Sequence, residues 1–245
     1  MSKKPSKKST TKIKPTGAFA LFGQSYDLVR RNLSSFVILN LLPAAILLGT
    51  IISRNRSANT NNLGNDSGLP VYLNNRFGGF GVIITLAVII AIFIVSTMLF
   101  CLELQAAKGK TPDLSSLWDY VSKFWLRLVG LSLLVSLYVI GGFILLIIPG
   151  IIMIRRYFLA PYVLIDQDTT VTEAMRRSAE MSKPYSRSIW RIIGVAVLLG
   201  IPSLINDIGS FISLILAVAY SVAPAIRYLE LKKLTKTTKY AWKTS

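Results

Sequence analysis

The 245-residue chain contains no histidine and a single cysteine, Cys101. The first absence removes the commonest metal ligand and the side chain best suited to general base work near neutral pH. The second excludes a disulfide framework and a cysteine-based zinc site. Charge is also scarce: Asp, Glu, Lys and Arg make up 16% of the residues, where a soluble domain averages about 25%. Acidic residues are scarcer still, 11 against 28 Lys and Arg, for a formal net charge of +17. A Gly-rich phosphate loop is missing, because Gly109-Lys110 lacks the upstream glycine at the required spacing. Coupling to nucleotide hydrolysis would therefore need a partner.

Apolar sequence is abundant, with 52% hydrophobic residues and a mean hydropathy of +0.54. Disordered chains are poor in such residues, so the composition indicates an integral membrane protein. Apolar stretches run over 36–52, 80–102, 126–148, 151–165, 189–205 and 208–229. A helix needs about 20 apolar residues to cross about 30 Å of hydrocarbon. The second, third and sixth stretches qualify easily, and the first and fifth are at the short end. The fourth has 15 residues and carries Arg155, Arg156 and Pro161; as a helix it is roughly 22 Å long.

Charge decides how these stretches are threaded. With Pro149-Gly150 read as a tight turn, six crossings leave both termini on one side. That side then holds eight Lys and Arg up to Arg31, four in 103–127, five in 166–191 and six from Arg227 onward, 23 of the 28. Basic loops are retained in the cytoplasm, so the expected topology in the inner membrane has both ends cytoplasmic. Residues 16–230 form the membrane domain in this reading, with 53–79 as the external loop. Its Asn55-Arg56-Ser57 and Asn65-Asp66-Ser67 triplets match a glycosylation acceptor that matters only in a secretory pathway. Residues 1–15 carry six lysines among Ser, Thr and Pro and read as a disordered basic tail. The first long apolar stretch starts too late for a signal peptide, so the chain is expected to stay uncleaved. Residues 231–245 read as a basic cytoplasmic tail.

The expected fold is all-α: three membrane hairpins, each preceded by a cytoplasmic amphipathic helix lying at the interface. In the middle segment Leu114, Leu117, Trp118, Val121, Phe124, Trp125 and Leu128 fall at helical spacing behind Thr111-Pro112, a helix-start signal. Phe19, Phe22, Tyr26, Val29 and Leu33 form the first stripe. The third opens on Thr170-Val171-Thr172-Glu173, a capping-box match, with Val171, Ala174, Met175 and Ser178 on one side. At two junctions Arg127 precedes Gly130 and Arg191 precedes Gly194 at equal spacing, with Arg30-Arg31-Asn32 at the comparable place in the first unit.

Chemistry has few candidates. Arg155 and Arg156 lie five to six residues past the expected turn, roughly 8–9 Å from the outer end on a helical rise. Charges in a spanning segment pair, snorkel or serve a pathway. Asp207, an outer-leaflet lipid phosphate, or snorkelling alone could satisfy them, with Tyr157 flanking at headgroup level. Asp166 and Asp168 could hold a divalent cation, or simply form a polar exit from a crossing; no cofactor is otherwise indicated. The middles of the apolar stretches offer only weak polar groups such as Asn40, Ser132 and Ser136, where a proton-driven carrier needs buried acids. Cys101 reads as a small apolar residue, and Gly141-Gly142 permits close packing or a kink.

The Pro149-Gly150-Ile151 turn, Arg156-Tyr157, Ala160-Pro161-Tyr162-Val163, Asp166 and the run from Ala174 to Lys183 resemble a broad group of bacterial membrane proteins. These are related to the membrane domain beside some glycerophosphoryl diester phosphodiesterases. The resemblance covers 105–230 and implies a membrane domain without the phosphodiesterase activity, which belongs in such relatives to a separate barrel with histidine and carboxylates. The expected function is non-enzymatic: a scaffold or accessory subunit, or a part in envelope lipid homeostasis. A transporter or permease subunit is one alternative. The other is a lipid or phosphodiester enzyme at the cytoplasmic interface, using Asp166, Asp168, Glu103 or Glu180. Expected partners are anionic inner-leaflet lipids, met by Lys and Arg at about 1 kcal/mol each, and other membrane proteins or further copies. Nucleic acid is not expected, because the basic tail has no aromatic residue to stack on a base.

Overall fold

A computed structural model of the chain describes residues 15–59, 80–111, 114–205 and 207–243. The expectations for residues 1–14, for the loop from 60 to 79 and for Pro112 fall outside the described residues. In chain order the helices are α1 (Ala18–Arg31), α2 (Leu33–Asn59), α3 (Phe80–Ala107), α4 (Leu114–Leu145), α5 (Ile147–Tyr157) and α6 (Ala160–Gln167). They continue with α7 (Val171–Ser182), α8 (Ser186–Gly200), a 3-10 turn (Ile201–Leu204), α9 (Asp207–Tyr220) and α10 (Ala223–Lys243). The fold is all-α, with no strand among the described residues. Six spans are long and apolar enough to cross a membrane: Leu33–Ile52, Phe80–Ala107, Ser115–Leu145, Ile147–Gln167, Ser186–Leu204 and Asp207–Thr235.

The interior packs mainly at one end. On α3 the buried residues, Gly81 apart, fall in the C-terminal half: Thr97, Cys101, Leu102, Glu103, Leu104 and Ala106. Of these, Cys101, Leu102, Leu104 and Ala106 join Phe36, Leu117, Phe124, Leu159, Ala160, Tyr162, Val163, Leu164, Ile165, Ala174, Val222 and Tyr228 in one core. The far ends of the helices are apolar and open, as at Phe80, Ile83, Ile144, Leu204 and Ile205. An apolar surface of that extent needs lipid rather than water around it.

The short helices differ in detail from the sequence pattern. α1 packs through Leu21, Ser25 and Val29, while Phe19 and Tyr26 stay exposed. Ser25 selects that face: its hydroxyl donates to Ala219 O at 2.8 Å and accepts from Val222 N at 3.2 Å, filling the break between α9 and α10. The middle amphipathic segment is no separate helix. Its packed residues Leu117, Val121, Phe124 and Leu128 belong to α4, which continues unbroken to Leu145. On α7 the packed face is Ala174, Met175, Ser178, Met181 and Ser182, and Thr170 caps the start by accepting from Glu173 N at 3.4 Å. The basic C-terminal segment is helical to Lys243, and Leu231 is fully buried.

The reversal after α4 is also displaced. It occurs at Leu146, whose backbone is extended (φ −166°, ψ 149°), and Pro149-Gly150 lie inside the first turn of α5. A helix's first turn has no intrahelical use for its N–H groups, so proline costs nothing there. The fourth span is broken in turn. Pro161 lacks the N–H that would continue the helix and its ring collides with the preceding turn, so α5 stops at Tyr157 and α6 starts at Ala160.

Candidate functional site

Basic side chains converge where α3, α4, α6, α7 and α10 meet. Asp166, with its side chain 4% exposed, sits at the end of α6 and is held from three sides. Lys108 Nζ, just beyond α3, lies 2.5 Å away, the Tyr228 hydroxyl donates at 2.6 Å, and Lys232 forms a second ion pair. Two cations and a hydroxyl offset the desolvation of one nearly buried carboxylate. Tyr228 also accepts from Gln167 Nε2 at 3.1 Å, and Gln167 Oε1 accepts from Arg177. Arg177 Nε then donates to Glu173 at 2.6 Å, and Arg176 bridges Glu173 and Glu180 at 2.7 and 2.6 Å. A continuous polar network thus ties α3, α6, α10 and α7 together. Arg176 and Arg177 hold the Glu173 carboxyl down at about 2, and Glu173 raises the guanidinium of Arg176 in return.

Asp168 ends α6 in the left-handed region (φ 45°), which Asp tolerates better than most residues. That conformation aims it at α4, where Lys123 and Arg127 lie 2.6 and 2.7 Å away and keep its carboxyl below the usual range. Asp166 and Asp168, weighed in the sequence as a cation pair, are therefore directed to different partners. Among the described residues no group of three or more His, Cys, Asp or Glu could hold a metal ion.

One layer further in, Glu103 accepts from the Tyr162 hydroxyl at 2.6 Å, with both residues buried. Tyr162 stacks on Tyr228 and meets Phe100 edge-on. Sequence reasoning placed Glu103 at an interface and found no acid inside the bundle. The packing of α6 against α3 instead draws this carboxyl into the interior. Tyr228, Lys232 and Lys108 were likewise missed, since they reach Asp166 across 62, 66 and 58 residues and no local pattern marks them.

Two concave sites open beside this network. A groove of about 690 Å³ is lined by Gln167, Arg176, Arg177, Glu180, Met181, Lys232 and Thr235. A smaller cavity of about 240 Å³ lies where Arg156, Tyr157 and Tyr138 face Thr172 and Arg176 of α7. Arg156 was expected near the outer end, but with the reversal at Leu146 it stands ten residues along, roughly 15 Å, beside α7. Its carbonyl, freed by the break before α6, accepts from Ser178 Oγ at 2.7 Å, with Ser182 Oγ at 3.3 Å. Arg155 Nε is buried without a hydrogen-bond partner. Neither arginine belongs to an ion pair among the described residues, and Asp207 opens α9 at the head of the last hairpin.

No curated protein and no solved structure matches the chain. A family model does match, over residues 80–206, just over half of the 245. The matched part runs from α3 through the 3-10 turn and carries Glu103, Arg127, Arg155, Arg156, Tyr162, Asp166 and all of α7. The chain belongs to the uncharacterised protein family UPF0259.

Proposed function

We propose that this is a non-enzymatic integral protein of the cell membrane that serves envelope lipid homeostasis, or acts as a scaffold or accessory subunit there. The observation that carries the reading is the gathering of Lys108, Lys123, Arg127, Arg176, Arg177 and Lys232 at one end of six apolar helices. Cation-rich ends are held on the cytoplasmic side and attract anionic headgroups, so both termini are assigned there, with 53–79 outside. Bacterial origin and kinship with the membrane domain beside glycerophosphoryl diester phosphodiesterases belong to the same proposal. That kinship concerns the membrane part only.

Single cysteines in a Cys101→Ser background test the topology. Positions 60, 66 and 207 are expected to react with an impermeant maleimide from outside, while 110, 168, 183 and 236 are not. Labelling of 168 and 183 from outside overturns it. Lipid mass spectrometry of the purified protein, with identification of co-purified proteins, tests the role. Enrichment of anionic lipid supports lipid handling, and a stoichiometric protein partner supports the accessory role.

A transporter or permease subunit is a second reading, favoured by the buried Glu103–Tyr162 pair, because acids inside a bundle mark ion paths. Substrate flux in proteoliposomes that is lost in Glu103→Gln would establish it. Turnover of a phospholipid or phosphodiester, lost in Asp166→Ala, would establish instead an enzyme at the cytoplasmic interface.

A further inference from the structure

We infer that Arg156 anchors a binding site for the phosphate ester of an anionic membrane lipid, built where α4 and α5 meet α7. The inference rests on the reading of the chain as a lipid-engaging membrane protein and names the place of contact. Three features of the chain shape the site. Pro161 ends α5 at Tyr157, which puts Arg155 and Arg156 in the last helical turn, where the helix dipole favours cations. Ser178 and Ser182 grip the Arg156 carbonyl and fix α7 alongside. The cavity left between them, about 240 Å³, has Leu134, Met175 and Ala179 as its apolar lining. Arg156, Arg176, Tyr138, Tyr157 and Thr172 complete the lining.

Charge selects an anion. Two guanidinium groups line the cavity, from Arg156 and Arg176. The carboxylates that the structure pairs there, Glu173 and Glu180, are taken by Arg176 and Arg177. Arg156 adds a positive charge that no ion pair among the described residues meets. A guanidinium fork matches phosphate oxygens in geometry as well as charge. Tyr138 and Tyr157, with ring centroids 5.8 Å apart, both line the cavity and bring phenol groups to it.

Size and setting select a lipid. At about 30 Å³ per water the cavity holds the volume of about eight waters, enough for a phosphate ester and its glycerol but not for acyl chains. These have a surface to follow, since Leu133 and Leu137 adjoin the site on α4 at 73% and 68% exposure.

Native mass spectrometry of the detergent-purified full chain tests the site, with phosphatidylglycerol as the probe and phosphatidylcholine as the comparison. Wild type and Lys110→Gln, a change outside the cavity, are expected to retain phosphatidylglycerol equally. Arg156→Gln is expected to retain it about tenfold less, as for loss of one charge-assisted bond, and Arg156→Lys to fall between. Should Arg156→Gln fail to fold, the Tyr138→Phe/Tyr157→Phe variant is read instead, and weakened retention is again expected. Retention by these variants equal to wild type overturns the site and leaves the broader lipid reading standing. A wild type that retains no anionic lipid overturns both. Displacement of the lipid by inorganic phosphate or glycerol 3-phosphate at equal concentration overturns the lipid assignment in favour of a free phosphate ester.

Discussion

Gly142 of α4 and Gly150 of α5 touch backbone to backbone: a Cβ on Gly142 would stand 2.9 Å from both Cα and N of Gly150. Nothing at that contact is a flexible side-chain end that could move aside. Gly142→Ala should therefore cost about 1–3 kcal/mol, the range for overpacking, seen as a lowered unfolding temperature in detergent. Gly141 has nothing within 4 Å of its would-be Cβ. Gly141→Ala should be neutral or gain up to about 1 kcal/mol from helix propensity. Equal behaviour of the two variants would refute the close contact.

The Glu103–Tyr162 hydrogen bond sets a second contrast. Tyr162→Phe leaves the buried carboxyl without its one described donor, a penalty of about 1–3 kcal/mol. Glu103→Gln keeps an acceptor for the hydroxyl and should cost less. Combining Tyr162→Phe with Glu103→Met removes both polar ends and should be milder than Tyr162→Phe alone. Additive losses in this cycle, read by thermal unfolding, would mean that the pair is not coupled.

How much of this was legible beforehand depended on the range of each signal. The six spans follow from local apolar runs, and Thr170 caps α7 as its capping-box pattern indicates. The place of the reversal was not legible, because proline fits the first turn of a helix as well as a loop, and Pro149 took the former role. The α1 stripe misled for a related reason. Phe19 and Tyr26 have the spacing of a packed face, but Ser25 is drawn inward by an open backbone break nearly 200 residues away. Asp166 was visible beside Asp168 as a possible cation pair or polar exit, whereas its partners Lys108, Tyr228 and Lys232 become neighbours only through tertiary packing.

Stability toward acid should depend on Glu173. Its carboxyl titrates at about 2 in the fold, against an ordinary 4.5, because Arg176 and Arg177 bond to its charged form. A folded value below the unfolded one means that its contribution is complete above about pH 4.5 and is lost as pH falls toward about 2. Asp168, lowered by Lys123 and Arg127, adds to the same side. Glu173→Gln should flatten the fall in unfolding temperature across this window, and added salt should narrow the difference from wild type. An unchanged acid limb in Glu173→Gln would exclude this pairing as its source.

The ion cluster at Asp166 yields the sharpest stability test. Lys108 and Lys232 reach one carboxylate from α3 and α10, so removing the negative charge leaves two ammonium groups facing each other in a partly buried place. Breaking a buried pair from one side costs about 3–5 kcal/mol. The lysines remain 37% and 27% exposed, which places Asp166→Asn near the lower end of that range. Lys108→Met alone should cost less, because Lys232 and the Tyr228 hydroxyl still hold the carboxylate. The triple variant Asp166→Asn/Lys108→Met/Lys232→Met leaves no charge to satisfy and should recover much of the loss. Recovery in the triple variant, measured by thermal unfolding in detergent, would locate the penalty in the stranded ammonium groups. A triple variant less stable than Asp166→Asn would locate it in lost attraction instead, and the network would then be a net source of stability at this end of the bundle.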